Sequence, residues 1–216
     1  MLLSVHIPKT GGVSFRNALK EFYGPGFVLS YWEVTDAWGR VLPEAPPTAT
    51  CVHGHFVAHD LADRFPTASL ATWVRDPAER VASSYYHRLR DPDRQNRISR
   101  LVHERQLSLL EFAELPEVRN EMAWFMGRKQ PADFAFIGVM EHYEEAMARF
   151  CLDFGFPAQP VRRDNCNAAR VTATYPMSGE VRARLTALND RDAEIYSECL
   201  ELFWNRHRSS SRQRTG

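Results

Sequence analysis

Three stretches of this chain carry residue types that handle anions and protons. The first is Pro8-Lys9-Thr10-Gly11-Gly12-Val13-Ser14-Phe15, a lysine and two hydroxyls around a glycine pair. Glycines let backbone N–H groups approach an anion closely, a helix N-terminus behind them favours negative charge, and a lysine adds a compact point charge. The order of residues separates this loop from a GxxxxGK[ST] phosphate loop, because Lys9 precedes the glycines and no strand ending in an acidic metal ligand is evident. A lysine placed there can lie alongside a transferred group. The plainer reading, an ordinary strand-to-helix turn with a surface lysine, stands beside it.

The second stretch runs from Trp73 to Tyr86 and places Arg75 at a strand end and Ser83 eight residues later, two turns into the next helix. A guanidinium fork and a hydroxyl donor at that spacing can grip a dianion from two sides. Alternatively, Arg75 pairs locally with Asp76 or Glu79. The third is His53-Gly54-His55 followed by His59, dense enough for a metal site, with His55 and His59 able to share a helical face. Against a metal, the nearby cysteine ligands are limited to Cys51 and an HExxH glutamate is missing. Histidine is also suited to taking a proton near neutrality, with an ordinary pKa of about 6.5.

Together these residues resemble sulfotransferases that use 3′-phosphoadenosine 5′-phosphosulfate (PAPS), most closely the group that includes heparan sulfate 2-O-sulfotransferases. The resemblance covers roughly residues 2–170. It implies that Lys9, Thr10, Gly11, Gly12, Val13, Ser14 and Phe15 form the loop for the 5′-phosphate and sulfuryl group, with Lys9 on the leaving oxygen. Val13 stands where that family often has threonine, which removes a hydroxyl and keeps the N–H. By the same resemblance Arg75 and Ser83 bind the 3′-phosphate, His55 is the base and His53 the second choice or a support. Looser matches are Phe136 to Glu141, similar to a late strand of the family core, and Asn165-Cys166-Asn167, similar to a loop closing over the nucleotide through Asn167. Arg80 is expected near the same anion, and Arg162, Arg163 and Arg170 either line a pocket or form a solvated face.

The elements that must position these groups follow from pattern. Residues 2–7 read as a buried strand, 8–12 as a loop and 14–22 as a helix with Phe15, Leu19 and Phe22 on one face. Strands are expected at 27–32, 50–53, 69–74 and 134–139, and helices at 60–65, 77–86, throughout 95–126, at 143–154 and in one piece over 178–205. Strands alternating with helices predict an α/β, three-layer P-loop-like fold with a mainly parallel sheet. The expected organisation is one domain over 1–205, a helical insertion at about 90–130 and a flexible polar tail at 206–216.

Composition bounds the rest. The 216 residues, 44% apolar with 27 basic against 27 acidic side chains, exclude a disordered chain and argue against a protein that coats nucleic acid or anionic membrane. Only three of the 27 basic residues are lysines, Lys9, Lys20 and Lys129. Four cysteines, Cys51, Cys151, Cys166 and Cys199, show no disulfide or zinc spacing, and neither a leader peptide nor a membrane span is legible, so a cytoplasmic location is expected. The expected reaction is metal-independent transfer of the PAPS sulfuryl group to a hydroxyl-bearing acceptor, a carbohydrate or small molecule. The rivals are a P-loop kinase or nucleotidase, a non-catalytic nucleotide-binding protein and a histidine-metal hydrolase. The acceptor is expected to meet residues 30–48 and 90–130, where Tyr31, Trp32 and Trp38 could stack on a ring. No feature sets the oligomeric state.

Overall fold

A computed structural model describes residues 1–31, 45–90, 96–158 and 174–213, the last seven of these by backbone alone. In chain order the elements are β1 (Leu2–Val5), α1 (Gly12–Tyr23), β2 (Phe27–Ser30), β3 (Cys51–Gly54), α2 (Ala58–Arg64), β4 (Ser69–Val74) and α3 (Pro77–Arg90). Then follow α4 (Arg97–Glu104), α5 (Leu109–Ala113), α6 (Glu121–Met126), β5 (Phe136–Val139), α7 (Tyr143–Phe154), α8 (Gly179–Leu188) and α9 (Asp190–Gln213).

All five strands are parallel, in the order β2-β3-β1-β4-β5. Every residue of β1, β3 and β5 is buried, Ser4 and His53 included, so these strands show no alternation of buried and exposed positions. The chain moves from β1 outward to β2, and from β3 across β1 to β4, in opposite directions along the sheet. Right-handed crossovers therefore put α1 and α2 on opposite faces, and the predicted three-layer α/β arrangement is the observed one. On the α1 face, Phe15 meets Phe136 (5.9 Å between ring centroids), Phe150 (4.9 Å) and Trp73 (5.5 Å), joining α1, α7 and the sheet in one core. A second apolar cluster, with Val81, Val102, Phe112 and Leu185 buried, joins α3, α4, α5 and α8.

Several boundaries differ from the sequence expectation. The described part of that stretch, 96–126, holds the three short helices α4, α5 and α6 with a 3-10 turn at Pro116–Val118. Asn96 caps α4 by accepting from the N–H groups of Ile98 (2.9 Å) and Ser99 (3.3 Å), Ser108 and Glu111 form a capping box at α5, and Gln106 and Asn120 turn left-handed at φ 50° and 52°. The expected single helix at 178–205 breaks at Asn189. Its side chain accepts from the Asn120 N–H (2.9 Å) and donates to the Leu185 carbonyl (2.9 Å), fixing a corner between α8 and α9. At the other end α9 continues past Asn205 to Gln213, into the segment expected to be a tail. Among the described residues no helix is long and apolar enough to cross a membrane, and Cys51, Cys151 and Cys199 are buried and form no disulfide there. Trp32, Trp38, Arg162, Arg163, Asn165, Cys166, Asn167 and Arg170 lie outside the described residues.

Candidate active site

The glycine loop leaves the central strand of the sheet and enters α1. Lys9 and Gly11 both have positive φ, 68° and 92°, and left-handed residues on either side of Thr10 are the backbone type that turns N–H groups into an anion-binding concavity. Thr10 secures the turn by donating its hydroxyl to the Ile7 carbonyl (2.8 Å). Helix α1 starts at Gly12, earlier than predicted, with Gly11 as a left-handed cap that no side chain satisfies. Gly11 has no side chain with which to cap the first N–H groups, an arrangement that suits a bound anion. Ser14 and Phe15 are buried in the first turn, while Val13 is partly exposed.

Lys9 is only partly exposed, and its ammonium pKa falls from the ordinary 10.5 to about 8, first through burial and then through the charges of Arg75, Arg90 and Arg88. A lysine crowded by arginines gains when a multivalent anion arrives. Arg75, 5% exposed at the end of β4, donates to the Lys9 carbonyl (3.2 Å), so the two sequence motifs meet in space. It also pairs with Glu79 (3.5 Å), so the local reading of this arginine holds alongside its contact with the loop.

Glu79 is shared. It accepts from Arg182 (2.5 Å) and from the Tyr175 N–H (3.1 Å), and Arg182 reaches Asp76 as well (3.1 Å). Tyr175 brings the predicted 3′-phosphate pair together. Its ring lies under the Arg75 guanidinium (5.8 Å), its hydroxyl is 3.5 Å from Ser83 Oγ, and it stacks on Tyr86 at 5.1 Å. Glu141, beyond β5, accepts from the Asp76 N–H (3.0 Å) and the Tyr196 hydroxyl (3.0 Å), tying the Arg-Asp-Pro turn to the neighbouring strand.

Arg80 is a correction to the sequence expectation. It is fully buried, ion-paired with Glu121 and Asp192 (3.7 Å) and bonded to the Val118 carbonyl (2.9 Å), so its guanidinium holds helices together through protein carboxylates.

His53, on β3, is 1% exposed and shares a hydrogen bond between Nδ1 and Ser4 Oγ of β1 (2.8 Å). His55 follows the strand and is partly exposed. The Nε2 atoms of both rings are buried without a hydrogen-bond partner. Burial lowers His53 to about 3, with His55 and Arg16 adding to the effect, and lowers His55 to about 4, so both are neutral at pH 7. His59 does not join them. It faces Asp60 (3.4 Å) and accepts from the Arg128 N–H (3.3 Å), on the side where α2 meets the end of α6. Among the described residues no group of three or more His, Cys, Asp or Glu is arranged to hold a metal ion.

The third ring of the cluster is His6, which sequence reasoning passed over. It stacks on His53 (5.1 Å, 24°), lies 4.8 Å from His55 and hydrogen-bonds Tyr31 through Nδ1 (2.9 Å). Its position two residues before Pro8-Lys9 was the available signal. A histidine closing a central strand has its ring delivered to the same sheet end as the loop.

No family model and no curated protein sequence matches this chain. Among solved structures it is similar to a sulfotransferase from Alicyclobacillus acidocaldarius, with a TM-score of 0.52 and 15% identity over 93% of this chain and 95% of that one. At that identity the likeness is one of fold, and it extends over nearly the whole of both chains. The fold is the α/β, P-loop-like arrangement of a parallel sheet between helix layers, with the glycine loop at the end of its central strand.

Proposed function

We propose that this chain is a PAPS-dependent sulfotransferase acting on a hydroxyl acceptor, with a carbohydrate as the first class to try. The observation that carries the reading is the contact of Arg75 with the Lys9 carbonyl at 3.2 Å. It makes one continuous anion site from a loop suited to a 5′-phosphosulfate and an Arg/Ser pair suited to a 3′-phosphate. The fold shared with a solved sulfotransferase supports it.

In this reading the donor lies along the loop, with its bridging oxygen at Lys9 and the N–H groups of Thr10, Gly11 and Gly12. The acceptor oxygen attacks sulfur in line, the new O–S bond forms as the bond to the phosphate oxygen breaks, and His55 takes the acceptor proton. The products are a sulfate ester and 3′-phosphoadenosine 5′-phosphate (PAP). His55 is favoured over His53 because it is partly exposed, whereas His53 is 1% exposed and engaged with Ser4. A free-protein pKa of about 4 keeps His55 unprotonated and ready to accept, and the donor's negative charge raises its basicity when bound. Positioning and fixed charge then supply most of the rate, with no proton bookkeeping at the leaving group.

The test is transfer of label from radiolabelled PAPS to saccharide and phenol acceptors in the presence of a chelator, beside calorimetry of PAP and adenosine 5′-monophosphate. Turnover, with PAP bound far more tightly than the nucleotide lacking the 3′-phosphate, supports the reading. Binding without turnover makes the chain a nucleotide-binding module, and magnesium-dependent use of ATP makes it a kinase.

A further inference from the structure

His6 has four neighbours that place it between the parts of the proposed site. The Cδ2–Nε2 edge of its ring fills the space that a Cβ on Gly12 would need, 2.0 and 2.2 Å from those two atoms. Its face lies against His53, and His55 is 4.8 Å away. Its remaining nitrogen, Nδ1, is 2.9 Å from the Tyr31 hydroxyl. The ring therefore stands between the glycine loop, which would hold the donor, and His55, which would receive the acceptor proton. In an in-line displacement the transferred group crosses that interval.

The proton positions follow from the neighbours. The Arg16 charge acts on the Tyr31 oxygen, and the hydrogen-bond partner of that hydroxyl is His6 Nδ1. With the hydroxyl as the donor in this bond, the Tyr31 proton points to His6 Nδ1. A neutral imidazole that accepts at Nδ1 carries its own proton on Nε2, on the edge facing Gly12. Burial first, then the proximity of His53, His55, Arg16 and Lys9, opposes any second proton on the ring.

We propose that His6 is a further residue of the transfer site, donating a hydrogen bond from Nε2–H to a sulfuryl oxygen of the donor, with Tyr31 setting its tautomer and His53 stacked behind it. The inference rests on the sulfotransferase reading above. A neutral donor at this point stabilises the charge on the sulfuryl oxygens without adding another cation beside Lys9.

PAPS has the sulfuryl group and PAP lacks it, so calorimetric affinities for the two isolate this contact without an acceptor. His6→Asn removes the donor at the Nε2 position, His6→Gln restores an N–H there, and Tyr31→Phe keeps the histidine while removing the hydroxyl that orients it. The expected result is about a tenfold loss of PAPS affinity in His6→Asn and Tyr31→Phe with PAP affinity unchanged, and recovery in His6→Gln. An equal loss for both nucleotides, or a wild-type PAPS-to-PAP ratio in His6→Asn and Tyr31→Phe, overturns the role of His6. If His6→Asn does not fold, the ratio in Tyr31→Phe decides. Wild-type protein that binds neither nucleotide overturns the sulfotransferase reading and this inference with it, whereas wild-type binding with an unaltered ratio in the variants overturns the inference alone.

Discussion

Lys9 is the residue whose chemistry is most directly readable. With its pKa at about 8 in the free protein, the ammonium is charged below that pH and loses its charge above it, well short of the ordinary 10.5. kcat/KM for the donor is therefore expected to fall as pH rises through about 8, a limb that Lys9→Arg should remove, because that parameter reports the free enzyme. A limb that survives in Lys9→Arg assigns it to another group. Between about 8 and 10.5 stability moves the other way and rises with pH, since the unfolded chain still holds the proton that the folded chain has released. Lys9→Ala is expected to cost on the order of a hundredfold in turnover with the fold intact. His55→Ala should abolish transfer and leave PAP binding measurable by calorimetry. Residue types alone pointed to Lys9, Arg75, Ser83 and the His53-Gly54-His55 pair. They did not separate the two histidines, because that distinction is one of burial, nor did they reveal Tyr175, which reaches Ser83 from 92 positions along the chain.

Among the elements, two glycines test different things. A Cβ on Gly54 would sit 1.4 Å from the Ser30 carbonyl oxygen, its partner in the β2–β3 register, and that backbone cannot move without unpairing the strands. A Cβ on Gly12 would meet the His6 side chain and displace that ring, with no strand pair in the way. Gly54→Ala is expected to destabilise by about 3 kcal/mol in urea unfolding, and Gly12→Ala by less, while Gly12→Ala should weaken donor binding more. The strands were legible because each is a short, mostly apolar segment bounded by turn residues, and β1, β3 and β5 are buried along their whole length, whereas β2 at the sheet edge is only partly buried. The helix breaks were not. Asn96, Gln106, Asn120 and Asn189 end or turn helices through capping bonds and left-handed backbone, and the bond between Asn120 and Asn189 spans 69 positions, beyond any local pattern. Hydrophobic periodicity runs through such points without a mark.

At the scale of the whole molecule, Arg80 joins what the sheet does not. It links α3 to Glu121 at the start of α6 and to Asp192 in α9, and Asp192 in turn accepts from the N–H groups of Met122 (3.1 Å) and Ala123 (2.8 Å). Removing the cation leaves Asp192, which is 0% exposed, as an uncompensated buried charge. Arg80→Ala is expected to cost about 3–5 kcal/mol in denaturant unfolding, with PAP affinity kept at temperatures below its transition. Loss of PAP affinity in a still-folded variant would return Arg80 to the anion site.

The strand order has a consequence for how the chain is made. β1 is the earliest strand in the sequence and the middle strand of the sheet, and its two partners are Cys51–Gly54 and Ser69–Val74. A growing chain therefore carries the glycine loop for tens of residues with no strand pair to anchor it, and closing those distant contacts is the slow step of such a topology. Donor affinity should be absent from every nascent fragment that stops short of Val74 and should arise only once β4 docks beside β1, bringing Arg75 to Lys9 in the same event.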